Sequence, residues 1–390
     1  MNVVFITNIL TPYRMHFYDL LNYELSKSGD TVKVLVMLKE DHNAYWNYNT
    51  YKREYTELIP CHYIGKYGGE FFINTGLKKR IDKNNPDIIV LCGSYWYPSL
   101  IYISSIYKKK AKILYWSESN KVKLETRKGV VRSIREYIRK TQFNKYDGFL
   151  YPGELAKELI LDYNPSPAYM ICLPNIVDET KYKYDRKKLY EADHKRLCND
   201  LGLDVNKKIF FCPARLVPEK GLIEFFDSVE KSTIKKNATF VIAGAGPLED
   251  SILQTADEKE IDIQLVGILK ESQMIEYYHV ADMFFLPSLS DPSPLACVEA
   301  LWSELPLLIS DRVGNMREVL EEGVNGFSFN VLDNNEALLD KIDTLTQDWF
   351  ISAGGRSHNL ATKNFLSVRK TEEVIESFRS ISIQNEERNK

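Results

Sequence analysis

The chain has 390 residues, of which 44% are hydrophobic and 27% charged, with a formal net charge of −3. This length suits two α/β domains better than one core, and the composition excludes fibrous and intrinsically disordered classes. No apolar run approaches the roughly 18–20 residues of a bilayer span, and the opening Met1-Asn2-Val3-Val4-Phe5-Ile6 lacks the basic region of a signal peptide.

Six cysteines, at 61, 92, 172, 198, 212 and 297, are scattered without a Cys-x-x-Cys and several fall in apolar runs. They read as buried free thiols in a reducing compartment, so a cytoplasmic protein is expected, either free or peripheral on the inner face of a membrane. The net charge conceals an asymmetry. Residues 1–174 carry 25 Lys/Arg against 17 Asp/Glu, and residues 108–145 carry 13 basic against 3 acidic side chains. Within that stretch Val130, Val131, Ile134, Tyr137 and Ile138 follow helical spacing, while Arg132, Arg135, Arg139 and Lys140 occupy other faces. Such a helix can lie on an anionic membrane or pack its apolar side on its own domain. No nucleic-acid recognition module accompanies the charge.

In chain order, short apolar strands alternate with helical stretches, the pattern of parallel sheets with crossover helices. The first half predicts strands at Val3–Ile6, Val32–Met37, Ile88–Cys92, Ile113–Trp116, Gly148–Tyr151 and Tyr169–Cys172. The second predicts Ile209–Pro213, Ala238–Ala243, Ile263–Val266, Met283–Leu286, Leu307–Ile309 and Gly326–Phe329. The polar stretch from Leu173-Pro174-Asn175 to Asp200 separates them, which divides the chain into domains 1–174 and 175–364. A last helix, about 365–384, is expected to pack back on the first domain, with a frayed charged end.

The loops after these strands carry the chemistry. After the first strand, Asn8-Ile9-Leu10-Thr11-Pro12-Tyr13-Arg14 offers Thr11 and Arg14 to a phosphate or a hydroxyl, or else simply starts a helix with Thr11 as cap and Pro12 in the first turn. After Trp116, Ser117-Glu118-Ser119 puts a carboxylate at a strand's C-terminal end, where it can accept a hydrogen bond from a substrate hydroxyl. After Pro213, Ala214-Arg215-Leu216-Val217-Pro218-Glu219-Lys220-Gly221 feeds a helix start, where Arg215 offers a planar fork and Lys220 a point charge to a diphosphate; alternatively both are surface residues of a polar loop. Gly244-Ala245-Gly246-Pro247 follows the next strand, its glycines permitting close backbone approach and positive φ, although the third glycine of a dinucleotide fingerprint is absent. After Leu286 comes Pro287-Ser288-Leu289-Ser290-Asp291-Pro292-Ser293-Pro294-Leu295, then a helix carrying Glu299. Two carboxylates so spaced can face one crevice beyond the strand ends; alternatively Asp291 caps the helix and Glu299 is a surface acid. The six histidines show no paired metal spacing.

The segment Asp291, seven residues, Glu299, together with Arg215-x4-Lys220-Gly221, Gly244-x-Gly246-Pro247 and the segments 311–319 and 323–327, resembles the retaining glycosyltransferases of family 4. The resemblance spans nearly the whole chain and is densest over 209–330. It implies an α/β GT-B fold, two Rossmann-like domains with parallel sheets facing a central cleft. It also implies a hexosyl transfer with retention from a UDP- or GDP-linked sugar, the nucleotide sugar being a co-substrate and no cofactor or metal being required. Carried over residue by residue, Arg215 and Lys220 hold the diphosphate. Gly244, Gly246, Gly267, Leu269 and Glu299 border the nucleotide. Asp291, Ser293, Pro294 and Leu295 border the donor sugar. Thr11, Arg14 and Glu118 face the acceptor, and Asp291, Glu299 and Glu118 are the catalytic candidates. This chain departs from the pattern in having Asp for the usual first Glu and Ser293-Pro294 for the usual aromatic–glycine pair, so one backbone N–H is missing. The implied acceptor is a glycan or a polyprenyl-diphosphate-linked glycan of bacterial surface-polysaccharide assembly. Three other readings stay open: a GT-B nucleotide-sugar epimerase, a non-catalytic nucleotide-sugar-binding partner, and a nicotinamide oxidoreductase, which the incomplete glycine fingerprint disfavours.

Overall fold

Among the described residues, thirteen strands form two sheets, and every strand in both runs parallel to its neighbours. The computed structural model describes residues 1–40, 47–63, 72–121, 130–182 and 193–389, with the side chains of 130–131 and 384–389 outside that description. Parts of the basic stretch (122–129), of the polar boundary stretch (183–192) and the charged end therefore lie outside the described residues. Contacts divide the chain into two units, Met1–Ile176 with Ser367–Lys390, and Val177–Leu366.

In the first unit the strands are β1 (Asn2–Thr7), β2 (Thr31–Val36), β3 (Thr56–Leu58), β6 (Ile88–Cys92), β7 (Lys112–Trp116), β8 (Gly148–Tyr151) and β9 (Tyr169–Cys172), in the order β3-β2-β1-β6-β7-β8-β9. A separate antiparallel pair joins β4 (Cys61–Tyr63) to β5 (Phe72–Asn74). The second sheet comprises β10 (Lys208–Pro213), β11 (Ala238–Ala243), β12 (Ile263–Gly267), β13 (Met283–Leu286), β14 (Leu307–Ser310) and β15 (Gly326–Phe329), in the order β12-β11-β10-β13-β14-β15. The α/β class with two Rossmann-like units is thus what the chain adopts. Two features were not anticipated: edge strand β3 and the β4–β5 pair, three-residue pieces too short to display a period.

The strands are apolar throughout because both faces are covered. Alternation along β1 sends Val3 and Phe5 to one core and Val4 and Ile6 to the other. The first core includes Phe17, Tyr18 and Leu21 of helix Pro12–Ser26, and Val374, Phe378 and Ile381 of the final helix Ser367–Asn389. Phe378 packs on Phe5 with ring centroids 6.2 Å apart, and Arg379 bonds Ser28 at 2.7 Å. Helices Leu77–Asn84, Pro98–Tyr107, Val130–Phe143 and Glu154–Tyr163 contribute to the core on the other face.

Register is fixed at the strand starts by three aspartates. Asp87, Asp147 and Asp282 each precede a strand and accept the backbone N–H that opens its neighbour: Asn2 at 2.7 Å, Ile113 at 2.9 Å and Ile209 at 2.8 Å. A one-residue slip would break these bonds as well as invert the apolar faces.

Helix Val130–Phe143 differs from its expected disposition. Ile134 and Tyr137 are 56% and 73% exposed, whereas Arg139 is buried with its guanidinium over the rings of Tyr95 (4.7 Å) and Tyr163 (5.3 Å). Arg135 lies 4.2 Å over Trp96. Aromatic faces accept arginine because its planar cation is weakly hydrated, so two of the basic residues serve packing. Val130 and Val131 fall outside the described side chains.

Because Phe378 is fully buried against the first core, Phe378→Ala should destabilise the first unit by about 3–5 kcal/mol, read as a lowered urea midpoint. An unchanged midpoint would show that the final helix does not hold that unit.

Candidate functional site

Strand order reverses direction on either side of β10 and β13 in the second sheet, and of β1 and β6 in the first. Loops leaving the C-terminal ends of such strand pairs diverge and leave a crevice. Arg215, Lys220 and Asp291 follow β10 and β13, Thr11 and Arg14 follow β1, and Glu118 follows β7.

In the second unit the loop after β10 ends in a 3-10 turn, Pro218–Lys220, and Gly221 turns it into helix Leu222–Lys231 with φ +63°. A Cβ on Gly221 would stand 2.2 Å from the Pro287 carbonyl oxygen, so only glycine lets this turn touch the end of β13. The neighbouring Glu219 carbonyl accepts from Leu289 N–H at 2.9 Å. Asp291 is anchored in turn, its carbonyl accepting from Gly314 N–H at 2.7 Å. These contacts bring the Lys220 ammonium into a direct ion pair with the Asp291 carboxylate, the two side chains only 16% and 13% exposed.

The glycine turn braces Arg215. Gly244 has φ +153°, and a Cβ there would meet the Ala214 oxygen at 2.0 Å; one on Gly246 would meet the Leu216 oxygen at 2.3 Å. Gly246 is not in the positive-φ region, so close approach alone requires it. Leu216 N–H donates to Ala245 at 3.1 Å, and Leu216 accepts from Leu248 N–H at 3.1 Å. Arg215, between these tied residues, is exposed and forms no ion pair among the described residues.

Glu299 projects from helix Leu295–Trp302 and accepts the Tyr278 hydroxyl at 2.7 Å. Burial pushes its carboxyl above the ordinary value, against the opposing pull of the Tyr278 and Tyr182 hydroxyls. Cys297, fully buried earlier in that helix, lies within electrostatic reach of Asp291, Lys220 and Glu299, and burial raises its thiol well above the usual range. The acids and the lysine therefore share one locality, although no contact joins Glu299 to the pair among the described residues. Pro294 is buried at the head of the helix, and its carbonyl accepts from Asn315 Nδ2 at 3.1 Å. Ser293 precedes it, and Leu295 packs partly on the core. Gly267 closes β12 at φ +69° with open space around it; Leu269 packs partly on the core, whereas Ile268 is 65% exposed.

In the first unit Arg14 lies in the first turn of helix Pro12–Ser26 and is tied into a network. It is 4% exposed, and donates to Thr7 Oγ1 at 2.8 Å and Asn8 Oδ1 at 3.3 Å. Its other nitrogen pairs with Glu118 Oε2 at 2.9 Å, and the guanidinium lies 5.2 Å from the Trp116 ring. Tyr13 donates to Glu118 Oε1 at 3.2 Å, and burial followed by the Glu118 charge pushes its phenol up to about 12. A buried arginine so committed orients Glu118, whose side chain stays 34% exposed, while the arginine's Nε is buried without a hydrogen-bond partner. Thr11 is buried and does not cap helix Pro12–Ser26.

Sequence reasoning missed Tyr13, Tyr182, Tyr278 and Trp116. None sits at a motif spacing, and only the packing of separate elements brings them to the carboxylates and to Arg14.

Residues 193–364 match the family model described as glycosyl transferases group 1. Among curated proteins, the alpha-monoglucosyldiacylglycerol synthase of Streptococcus pneumoniae is 25% identical over 45% of this chain and 40% of its own length. The UDP-Gal:alpha-D-GlcNAc-diphosphoundecaprenol alpha-1,3-galactosyltransferase of Escherichia coli is 26% identical over 56% of this chain and 55% of its own. The chain thus spans about half or less of the length of these relatives. Among solved structures, Anabaena Alr3699/HepE in complex with UDP and glucose aligns with TM-score 0.74 at 15% identity, over 97% of this chain and 100% of that one. Sucrose-phosphate synthase from Thermosynechococcus elongatus aligns with TM-score 0.72 at 13% identity, over 98% and 99%. At these identities the structural likeness establishes the fold.

Removing one partner of the Lys220–Asp291 pair leaves a poorly solvated charge, whereas removing both does not. Lys220→Ala and Asp291→Asn should each destabilise the chain, and the double variant should lose less than their sum, with a coupling of about 1–3 kcal/mol in urea unfolding. Additive effects would mean that the pair carries no net interaction.

Proposed function

We propose that this chain is a glycosyltransferase that moves a sugar from a UDP- or GDP-linked donor to a hydroxyl of a glycan or lipid-linked acceptor, with retention at the anomeric carbon. The observation that carries the reading is the Lys220–Asp291 pair at the ends of β10 and β13, with Arg215 exposed on the same loop. A donor's diphosphate brings negative charge that Lys220 and Arg215 are placed to receive. When it does so, Asp291 is released from Lys220 as its sole counter-charge and becomes an acceptor for the sugar hydroxyls. Glu299 receives the ribose. Positive charge held ready where the leaving group gains electrons stabilises the transition state without reorganisation. Glu118, held by Arg14 and Tyr13, takes the acceptor hydroxyl in a hydrogen bond. The bond from the anomeric carbon to the diphosphate breaks as the acceptor oxygen attaches, and a leaving-group oxygen collects the acceptor's proton.

The names of the relatives support the acceptor class, since they specify a glucosyldiacylglycerol product and a diphosphoundecaprenol-linked sugar. No cofactor beyond the donor enters the reading. A peripheral membrane site belongs to it as well, on helix Val130–Phe143, where Ile134 and Tyr137 project beside exposed Arg132 and Lys140. The exposed Lys108, Lys109 and Lys110 follow helix Pro98–Tyr107, which is tied to it by Ser104 and Gln142 at 3.3 Å. Exposed aromatic and aliphatic groups amid basic ones suit an anionic interface. No helix among the described residues is long and apolar enough to cross a membrane. A non-catalytic sugar-nucleotide binder is the second reading, favoured by Pro294, which withholds an N–H at the helix start.

Nucleotide release from a panel of UDP- and GDP-sugars, with and without a membrane lipid extract, tests the first reading. Release that requires one donor and the extract is expected, with Lys220→Ala weakening nucleotide binding and Asp291→Asn abolishing turnover in a folded chain. Tight donor binding without release under any condition would select the non-catalytic reading. Tyr137→Asp combined with Lys140→Glu should reduce co-sedimentation with phosphatidylglycerol vesicles several-fold, at roughly 1 kcal/mol per basic residue near the surface; unchanged sedimentation would remove the helix from the membrane.

A further inference from the structure

We propose that Tyr278, assisted by Tyr182, is a positioning residue for nucleotide recognition, holding the Glu299 carboxylate so that its remaining acceptor sites meet the vicinal hydroxyls of a ribose. The inference rests on the reading of Glu299 as the ribose acceptor and adds residues that no sequence motif marks.

Tyr278 belongs to helix Glu271–Val280 and is fully buried. Its hydroxyl lies 2.7 Å from Glu299 Oε2 and 3.4 Å from the Ala296 carbonyl, and its single hydrogen goes to the nearer, charged acceptor. The ring has no freedom to swing away. It packs edge-on against Phe211 at 5.1 Å and against Tyr182 at 6.1 Å. Tyr182, 4% exposed, brings a second phenol to the same carboxylate from the segment after the 3-10 turn Glu179–Lys181.

A carboxylate offers roughly four acceptor sites. The Tyr278 hydroxyl takes one of them at 2.7 Å and the Tyr182 phenol faces the same group, which leaves acceptor sites for the two donors of a ribose diol. The phenols also favour its ionised form. Burial favours its neutral form, the like charge of Glu271 adds to that, and the two hydroxyls oppose both. Glu271 is itself paired with Lys181 at 2.8 Å. The ribose contact is thus present where Glu299 is ionised and is lost as pH falls through its raised value. Removing a phenol moves that loss to higher pH.

The test compares UDP and GDP with their 2′,3′-dideoxy forms by calorimetry, from about pH 5 to about pH 8.5. The intact chain should prefer the ribose form of the nucleotide it binds by roughly tenfold at neutral pH, with the preference fading on acidification. Tyr278→Phe should cut the preference at neutral pH and restore it in alkaline solution, leaving dideoxynucleotide affinity unchanged. Tyr182→Phe should shift the profile in the same direction, and stands in if Tyr278→Phe does not fold. Glu299→Gln should lower the preference and remove its pH dependence. A preference and midpoint unmoved by either phenylalanine would overturn the inference while leaving Glu299 as ribose acceptor. No preference in the intact chain for either nucleotide would overturn the ribose reading itself, and the inference with it.

Discussion

The site of the second unit depends on close backbone contact between loops that leave neighbouring strands. Gly221 touches the Pro287 carbonyl, and Gly244 touches that of Ala214, at separations where no Cβ could stand. Each contact removes a side chain's width between loops, and the loops after β10, β11 and β13 consequently lie against one another. Lys220 reaches Asp291 only because of this. Gly221 lies directly beside Lys220, so the residue that permits the contact also sets where the ammonium goes. Strain and sterics in the backbone are in this sense upstream of the electrostatics.

The Arg14–Glu118 pair of the first unit and the Lys220–Asp291 pair of the second differ in what they leave accessible. Arg14 is almost wholly enclosed, and its two terminal nitrogens bond Thr7, Asn8 and Glu118. It is a fixed support, and the exposed portion of the pair is the carboxylate. Lys220 and Asp291 are comparably shielded from solvent, with neither dominating. A pair of this kind is poorly hydrated and bound mainly to itself, so an incoming dianion can recruit the cation with little loss of water. Arg215, exposed and without an ion-pair partner among the described residues, adds charge. Glu299 is a third arrangement, an acid held by phenols with no cation in contact among the described residues, where hydrogen bonds oppose desolvation.

The basic stretch shows how a charge count misleads about surface charge. Arg135 and Arg139 lie over aromatic rings, and what helix Val130–Phe143 presents to solvent is a mixture in which Ile134 and Tyr137 are prominent. Spacing placed these two with the other apolar residues of the helix. The ring of Tyr95, from a different element, is what drew Arg139 inward instead.

The sequence by itself determined the strands, because a parallel strand covered on both faces must be a continuous apolar run, and twelve of the fifteen are visible that way. It also marked the loops of the candidate site, since Arg215, Lys220, the glycines and the Asp291–Glu299 spacing stand in one contiguous span. Three-residue strands such as Thr56–Leu58 carry too few residues to show a period, and their pairing comes from neighbours far along the chain. Tertiary structure alone decided the partners: that Lys220 meets Asp291, that Arg14 is sealed against Glu118 and Trp116, and that Tyr278 and Tyr182 close on Glu299. Such contacts join residues 21 to 117 positions apart. Local chemistry fixes what a side chain can bond, but only the packing of whole elements fixes what it meets.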